Sequence, residues 1–445
     1  MALSRADGFD RFRGAPAKSH VRWVICAFLF GATTINLLNR QVFGILAGDM
    51  QRMFGWSEIQ YGYIVGAFQL SYAVGLVLSG RLIDRLGTRV GYALMIGVWS
   101  LVTIAHVLVR TAIGFLGVRF LLGLAESGNF PAAIKSTAEW FPAKERSLVA
   151  GTINAGTNMG VIAAALLVPW LSSRYGWQSG FAATGILGLL WCVWWWIGYR
   201  SPEEYPGLSE SEYLLITDGA SRSATNNQQN TVPWVKLLRY KQLWAFTLVK
   251  MLVDPVWFFL LSWLPKFLFH TFHLPAIGLS LPLVIMYISS DLGSVIGGYV
   301  PSIFLRRGSS MASARRRAML PCAIAVVPIV YGAHFSSLWV TVAFVGLALA
   351  GVQGWSSNMY GIVPDLFPSN SVASVVGFGS MVGSVSAALF AVIAGWVLQR
   401  TGSYTPLFVY CAGTYIVAFC ILQLLVPRLE KIEPGEVVPT AAETI

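Results

Sequence analysis

The sequence predicts an all-α integral membrane protein, with twelve transmembrane helices in two pseudo-symmetric six-helix bundles. Three observations predict it. Charged residues make up 11% of the 445 residues and hydrophobic residues 56%, against roughly 25% charged in an average soluble domain. Mean hydropathy is +0.63. Twelve apolar stretches are each long enough to cross a hydrocarbon layer of about 30 Å. Finally, the second half of the chain repeats landmarks of the first.

The expected spans are 22–47, 60–83, 90–109, 112–138, 147–172 and 177–199, then 242–268, 278–304, 317–335, 337–363, 372–398 and 405–427. The apolar run after the polar first 21 residues is too long for a signal-peptide core, so it reads as the first span. The division is therefore an N-terminal segment 1–21, a bundle 22–199, a linker 200–241, a second bundle 242–427 and a tail 428–445. The linker is rich in Pro, Ser, Asn and Gln, as a solvated connection with one short helix would be.

Basic residues (31, against 20 acidic) are distributed as topology requires, so nucleic acid is not implied. On the side of the termini lie Arg81, Arg85, Arg89, Lys144, Arg146, Arg306, Arg307 and Arg315 to Arg317, among others. The opposite side holds only Arg52, Arg110, Arg174, Lys266 and Arg400. The positive-inside rule then places both termini in the cytoplasm of a multi-pass protein. Cys26, Cys192, Cys322, Cys411 and Cys420 fall in apolar segments without paired spacing, which implies neither disulfides nor a metal site. His270 and His273 have no further ligands beside them, and Trp191, Trp194, Trp195 and Trp196 read as a lipid-facing belt. No cofactor is expected.

The repeat is specific. The shift in numbering that carries Phe141-Pro142 onto Phe367-Pro368 also carries Gly151 onto Gly377, Arg174 onto Arg400 and Gly176 onto Gly402. An even number of spans per half makes these parallel repeats about an axis along the membrane normal, with one central site between them.

Within the spans, ionisable residues are functional candidates because each is costly unless it faces a partner or a watery cavity. Arg119 and Glu126 are seven residues apart, about 700° of helical rotation, and share a face. They form either a permanent pair or a proton-exchanging site. On the first span Thr33, Asn36 and Arg40 make a polar stripe, and the Arg40 guanidinium matches a carboxylate; a snorkelling Arg is the alternative. Gln69 and Tyr72 share a face of the second span. Asn154, Thr157 and Asn158 on the fifth span, Gln353, Ser357 and Tyr360 with Trp355 on the tenth, and Ser380 and Ser384 on the eleventh suit hydrogen bonds to a polar ligand or between helices. Lys250 and Asp254, at i and i+4, neutralise each other, and Pro255 beside them is positioned to break that helix. That pair and Asp291 read as structural or gating residues.

The loop GRLIDRLGTR (Gly80 to Arg89) resembles the signature of the major facilitator superfamily between its second and third helices. Gly80 would allow close helix approach, Asp84 would face a helix N-terminus, and Arg85 and Arg89 would hold the cytoplasmic side, with Gly87 completing the pattern. The counterpart FLRRG (Phe304 to Gly308) lacks the acid. NLLNRQ (Asn36 to Gln41), RFLLGLAESGNFPAAIK (Arg119 to Lys135), VDPVWFF (Val253 to Phe259), DLGSVIGGY (Asp291 to Tyr299) and GWSSNMY (Gly354 to Tyr360) together resemble the anion:cation symporter family, most of all its bacterial hexuronate transporters. The resemblance implies proton-coupled uptake of a carboxylated sugar, with Arg40 on the substrate carboxylate and Glu126, with Arg119, carrying the proton. Many members place an acid before the first-helix Arg, where this chain has Asn39.

These observations lead to a bacterial inner-membrane symporter, a monomer whose partners are a small organic anion, a proton and the lipid bilayer. Tyr72, Thr157, Asn158, Gln353, Ser357, Tyr360 and Ser380 would surround the sugar. An aldonate (galactonate or gluconate) carrier, or a facilitator without coupling, is the alternative. A membrane enzyme would need a nucleophile–base pair or metal cluster at one depth, and a sensor a soluble output domain; neither pattern is evident in the sequence.

Overall fold

The computed structural model describes residues 20–142, 145–216, 237–333, 335–367 and 371–427. Most of the N-terminal segment, the middle of the linker, Lys144, Pro368 and the tail lie outside them. Among the described residues the chain is all-helical: α1 (Val21–Phe54), α2 (Glu58–Ala105), α3 (Ala112–Glu126), α4 (Asn129–Trp140), α5 (Arg146–Tyr175) and α6 (Gln178–Gly198) in the first half, then α7 (Lys241–Phe272), α8 (Ser280–Arg306), α9 (Met311–Val326), α10 (Leu338–Leu366), α11 (Val372–Thr401) and α12 (Thr405–Leu425) in the second. Residues 210–216 of the linker are also helical.

Nine helical stretches among the described residues are individually long and apolar enough to cross a membrane. The expected second and third spans are joined in α2, which is interrupted by non-helical backbone at Gly87 (φ 76°, ψ 161°), a region open to glycine and little else. The expected fourth span is divided between α3 and α4 at Ser127-Gly128, where Arg119, Glu126 and Lys135 thin the apolar run. The expected ninth span carries Arg315 to Arg317 at its start and passes from α9 into a 3-10 turn, Val327–Ala333. Helix α7 runs on through Pro255 and Pro265, so Pro255 does not break it as expected. Burial of both faces of α7 holds the helix together there.

The repeat has a structural counterpart. Helices α4 and α10 both end in an extended Phe, Phe141 (φ −124°, ψ 136°) and Phe367 (φ −111°, ψ 149°). Helices α5 and α11 both close on a glycine with positive φ, Gly176 and Gly402. The residue before each α4/α10 end carries the same contrast: Glu139 accepts from Thr88 (2.6 Å) and Tyr199 (2.5 Å), while Asp365 accepts from Arg315 (2.9 Å).

Helix α2 packs along α3 and α11, α1 along α5 and α7, and α8 along α10 and α5. Small residues permit these approaches. A Cβ on Gly62 or Gly66 would run into the α11 backbone at Ala391 and Ala388, and one on Gly297 into α10 at Gly354. Such contacts replace the missing hydrophobic drive between helices in lipid. Gly80, by contrast, faces open space, so the close approach expected there is not made.

At one end of the molecule the two halves interlock. Tyr61 donates to the carbonyl of Ser262 (2.7 Å), the Glu58 amide donates to Gln399 (2.9 Å), and Lys266 bonds Glu58. At the other end Arg22 ties the start of α1 to Glu145 and to Glu212 of the linker, each at 3.0 Å.

The tryptophans correct one expectation. Trp194 and Trp196 are exposed, as a lipid belt requires, but Trp191 (5% exposed) and Trp195 (0%) are buried against Phe28 and Tyr92. Four aromatics within six residues cannot share one helix face.

Candidate functional site

A narrow pocket lies between the halves, walled by Arg40, Gln41 and Gly44 of α1, Val65, Phe68 and Gln69 of α2, Arg119 of α3, and Phe258, Leu261 and Ser262 of α7. Its charges are arranged differently from the sequence expectation. The Arg119–Glu126 bridge is not formed. Instead Arg40 Nε donates to Glu126 Oε2 across the α1–α3 interface at 3.1 Å, with Glu126 fully buried. Helix spacing alone put Arg119 on the Glu126 face, but α1 lies close enough to reach the carboxylate first.

Arg119, 3% exposed, lies over the rings of Phe43 (4.5 Å) and Phe68 (4.7 Å). Arg40 covers the same Phe68 ring (5.0 Å) and Tyr72 (4.6 Å). Two guanidinium groups thus share contact with one phenyl ring, each favoured by the ring quadrupole. Arg119 Nε and Nη1, Arg40 Nη2, Gln69 Oε1 and the second Glu126 oxygen are buried without a protein partner. Unpaired buried polar groups cost about 1–3 kcal/mol each, more when charged. Four of these atoms belong to pocket-lining residues and the fifth to Glu126, held by Arg40, so the pocket carries donors suited to a carboxylate and a carboxamide oxygen suited to a hydroxyl.

Arg40, Glu126, Arg119, Tyr72 and Gln69 are therefore brought together. Thr33 instead accepts from Asn129 (3.3 Å), whose side-chain oxygen accepts from Tyr92 (2.7 Å); this buried chain pins α4 to α1 and α2. Asn154 is exposed, Thr157 and Asn158 are half-buried, and the Thr157 hydroxyl has no protein partner.

The second half contributes less to the pocket than expected. Ser357 exchanges hydroxyl contact with Ser294 of α8 at 2.8 Å, and Trp355 is fully buried beside Tyr415, so it offers no ring to a ligand. Gln353 and Ser380 are half-buried and Ser384 is buried. Tyr360 is 43% exposed and accepts from Lys250 (3.0 Å), which also pairs with Asp254 (2.9 Å). The mutual neutralisation expected of Lys250 and Asp254 is thus present, with Tyr360 added. Asp254 of this cluster lies one helical turn, about 6 Å along α7, from Phe258 of the Arg40 pocket, with Lys250 one turn further on. Asp291 is half-buried in α8.

The Gly80–Arg89 loop also differs in detail. Asp84 pairs with Lys135 of α4 (3.0 Å) rather than with a helix N-terminus, and Lys135 also donates to the Ile83 carbonyl (3.1 Å). Arg89 donates to the Trp196 carbonyl (2.7 Å), and Arg85 is exposed. The sequence reading missed Asn129 and, above all, Lys266, which is 1% exposed inside α7 and not at a loop. Its position beside Pro265 in an apolar run was the available signal.

The sequence matches the description Major Facilitator Superfamily over residues 29–312. It is 29% identical to the hexuronate transporter of Escherichia coli K12 over 419 residues, 94% of this chain and 96% of that protein. It is 33% identical to the galacturonate transporter of Dickeya chrysanthemi over 288 residues, 64% of this chain and 82% of that protein. The fold is also similar to the inward-open xylose transporter XylE from E. coli, at a TM-score of 0.71 and 13% identity, covering 91% of this chain and 96% of that one. With a matching family description across most of its length, and transporters as its relatives, this chain belongs to the Major Facilitator Superfamily.

Proposed function

We propose that the protein carries a sugar-acid anion, a hexuronate such as glucuronate or galacturonate, across the bacterial inner membrane together with a proton. The observation that carries this reading is the Arg40–Glu126 pair beside Arg119, which makes no direct ion pair. The names of the two sequence relatives supply the substrate class.

The chemistry follows from competition for one cation. A substrate carboxylate reaching the pocket meets Arg119 and the unused Nη2 of Arg40, then displaces Glu126 from Arg40. An ionised carboxyl without its cation, in a site lined by Val65, Phe68 and Phe258, costs several kcal/mol. Glu126 therefore takes up a proton as the anion binds, and gives it back when the anion leaves. Anion and proton load together and depart together, which is symport. Tyr72 and Gln69 flank the sugar, with Thr157, Asn158, Gln353, Ser357, Tyr360 and Ser380 reached as the halves close around it.

The bundles 22–199 and 242–427 rock about this pocket, with the linker and both termini in the cytoplasm. The interlocked end is then the outer one, and the exposure of Asn154 and Tyr360 accords with a pathway open to the cytoplasm. The test is uptake of labelled glucuronate, galacturonate, galactonate and gluconate into proteoliposomes, with and without a pH gradient. Gradient-driven accumulation of the hexuronates supports the reading. Accumulation of the aldonates alone, or equilibration without accumulation, selects the aldonate carrier or the uncoupled facilitator instead.

A further inference from the structure

Lys266 and Glu58 form an ion pair that belongs to neither the pocket nor the sugar-contacting residues. Lys266 comes from α7 and its side chain is fully buried; Glu58 comes from the first turn of α2. The pair therefore bridges the two halves. It is built into its surroundings: Lys266 lies over the Tyr61 ring (4.6 Å), and Gln51 donates to the other Glu58 oxygen (3.0 Å). Around it the helices leave no slack, since the Glu58 carbonyl meets Gly395 and Phe269 packs on Gly48.

Any rocking that opens this end must pull α2 from α7 and separate Lys266 from Glu58. What Lys266 finds afterwards is set by its own half. From Ser262 to Leu283 there is no Asp or Glu, and none from Ile393 to Thr405. The nearest acid along α7, Asp254, is about 18 Å away at 1.5 Å per residue and is already held by Lys250. Of the other cations at this end, Arg52 keeps its own partner Asp49 (2.7 Å), and Arg110, Arg174 and Arg400 lie over Trp177, Trp170 and Trp396. An opened outer end thus leaves Lys266, a buried ammonium, without its acid, and an incoming carboxylate is the group that satisfies it.

We propose that Glu58–Lys266 is the outer gate, and that Lys266, released by opening, is the capture site for the substrate carboxylate before it passes to Arg40. The capture role rests on the sugar-acid reading; the gate role rests on the fold alone. The gate closes when the carboxylate moves inward and Glu58 regains Lys266, so an anion and a protein acid alternate on one cation.

The experiment has two arms. An Ala391→Cys probe is buried at the α2–α11 contact (Ala391 is 3% exposed), and labelling by a membrane-impermeant maleimide from the outer face reports opening, with the five native cysteines as background. Glu58→Gln and Lys266→Gln should each speed labelling by about tenfold, as loss of a state-specific ion pair shifts the populations. The second arm measures uptake of labelled galacturonate. Lys266→Gln should raise the KM for uptake from the outer face by about tenfold, whereas Glu58→Gln, which leaves the ammonium free, should not raise it. If Lys266→Gln does not reach the membrane, Lys266→Met removes the charge with a chain suited to burial. Unchanged labelling in both variants overturns the gate. Equal KM values in the two overturn the capture site, and because labelling needs no substrate, the gate can stand if the sugar-acid reading falls.

Discussion

Arg40 of α1 holds Glu126 of α3 at 3.1 Å, while Arg119, on the same helix as Glu126, makes no direct ion pair with it. The site thus contains two cations and one anion, and the anion sits on the cation that a substrate can also reach. Glu126→Gln should abolish accumulation driven by a pH gradient yet spare exchange of internal for external substrate. Substrate should also bind several-fold more tightly, because the competitor for Arg40 has lost its charge. Proteoliposome uptake and counterflow check the first outcome and equilibrium binding the second. Equal loss of accumulation and exchange would leave Glu126 a structural residue.

The two arginines should separate in a stability measurement. Arg40→Met strands Glu126 without its cation, and breaking a buried pair from one side costs about 3–5 kcal/mol. Arg119→Met removes a charge that is in no direct ion pair, so the lost ring contacts and longer-range attraction to Glu126 are partly offset by relief of burial, and the loss stays below that of Arg40→Met. Both variants should lose substrate binding. Thermal unfolding in detergent distinguishes them, and a larger loss in Arg119→Met would contradict the pairing.

Much of this was legible in the sequence because the signals are one-dimensional. Apolar length marks the spans, and a fixed shift in numbering finds Gly176 and Gly402, which both follow their helices with positive φ. Intramembrane charge picked out Arg40, Arg119 and Glu126. Pairing was not legible, since periodicity relates residues on one helix, whereas Arg40–Glu126, Lys266–Glu58 and Ser294–Ser357 each join two. The same limit misread Trp355, whose place in sequence between Gln353 and Ser357 gives no hint that α12 covers it.

Lys250 and Asp254 did obey a local rule, and their cluster yields a third prediction. Asp254→Asn leaves a buried ammonium with only the Tyr360 hydroxyl, and should cost about 3–5 kcal/mol. Tyr360→Phe removes one hydrogen bond from a cation that keeps its carboxylate, at about 1.5–3 kcal/mol for a bond to a charged group. The double variant Lys250→Met/Asp254→Asn should recover most of the loss in Asp254→Asn, because no unpaired charge remains. Unfolding temperatures of the four proteins check the order. A double variant no more stable than Asp254→Asn would show that the pair does more than neutralise itself.

The glycines of α2 and α8 give the fourth. Gly80 has open space around it and lies inside a helix, so Gly80→Ala should stabilise by up to about 1 kcal/mol through helix propensity. Gly87, seven residues on, has positive φ and extended ψ; Gly87→Ala should destabilise by about 1–3 kcal/mol, since a Cβ is strained in that region. Gly297→Ala drives a methyl group into Gly354 of α10 and disturbs the 2.8 Å bond from Asn358 to the Gly297 carbonyl. Overpacking and a weakened hydrogen bond together should cost more than either alone, about 2–4 kcal/mol. Thermal unfolding should therefore rank Gly80→Ala above the parent chain, and Gly87→Ala and Gly297→Ala below it. A loss in Gly80→Ala equal to that in Gly297→Ala would show that the signature glycine meets a neighbouring helix in another state of the transport cycle.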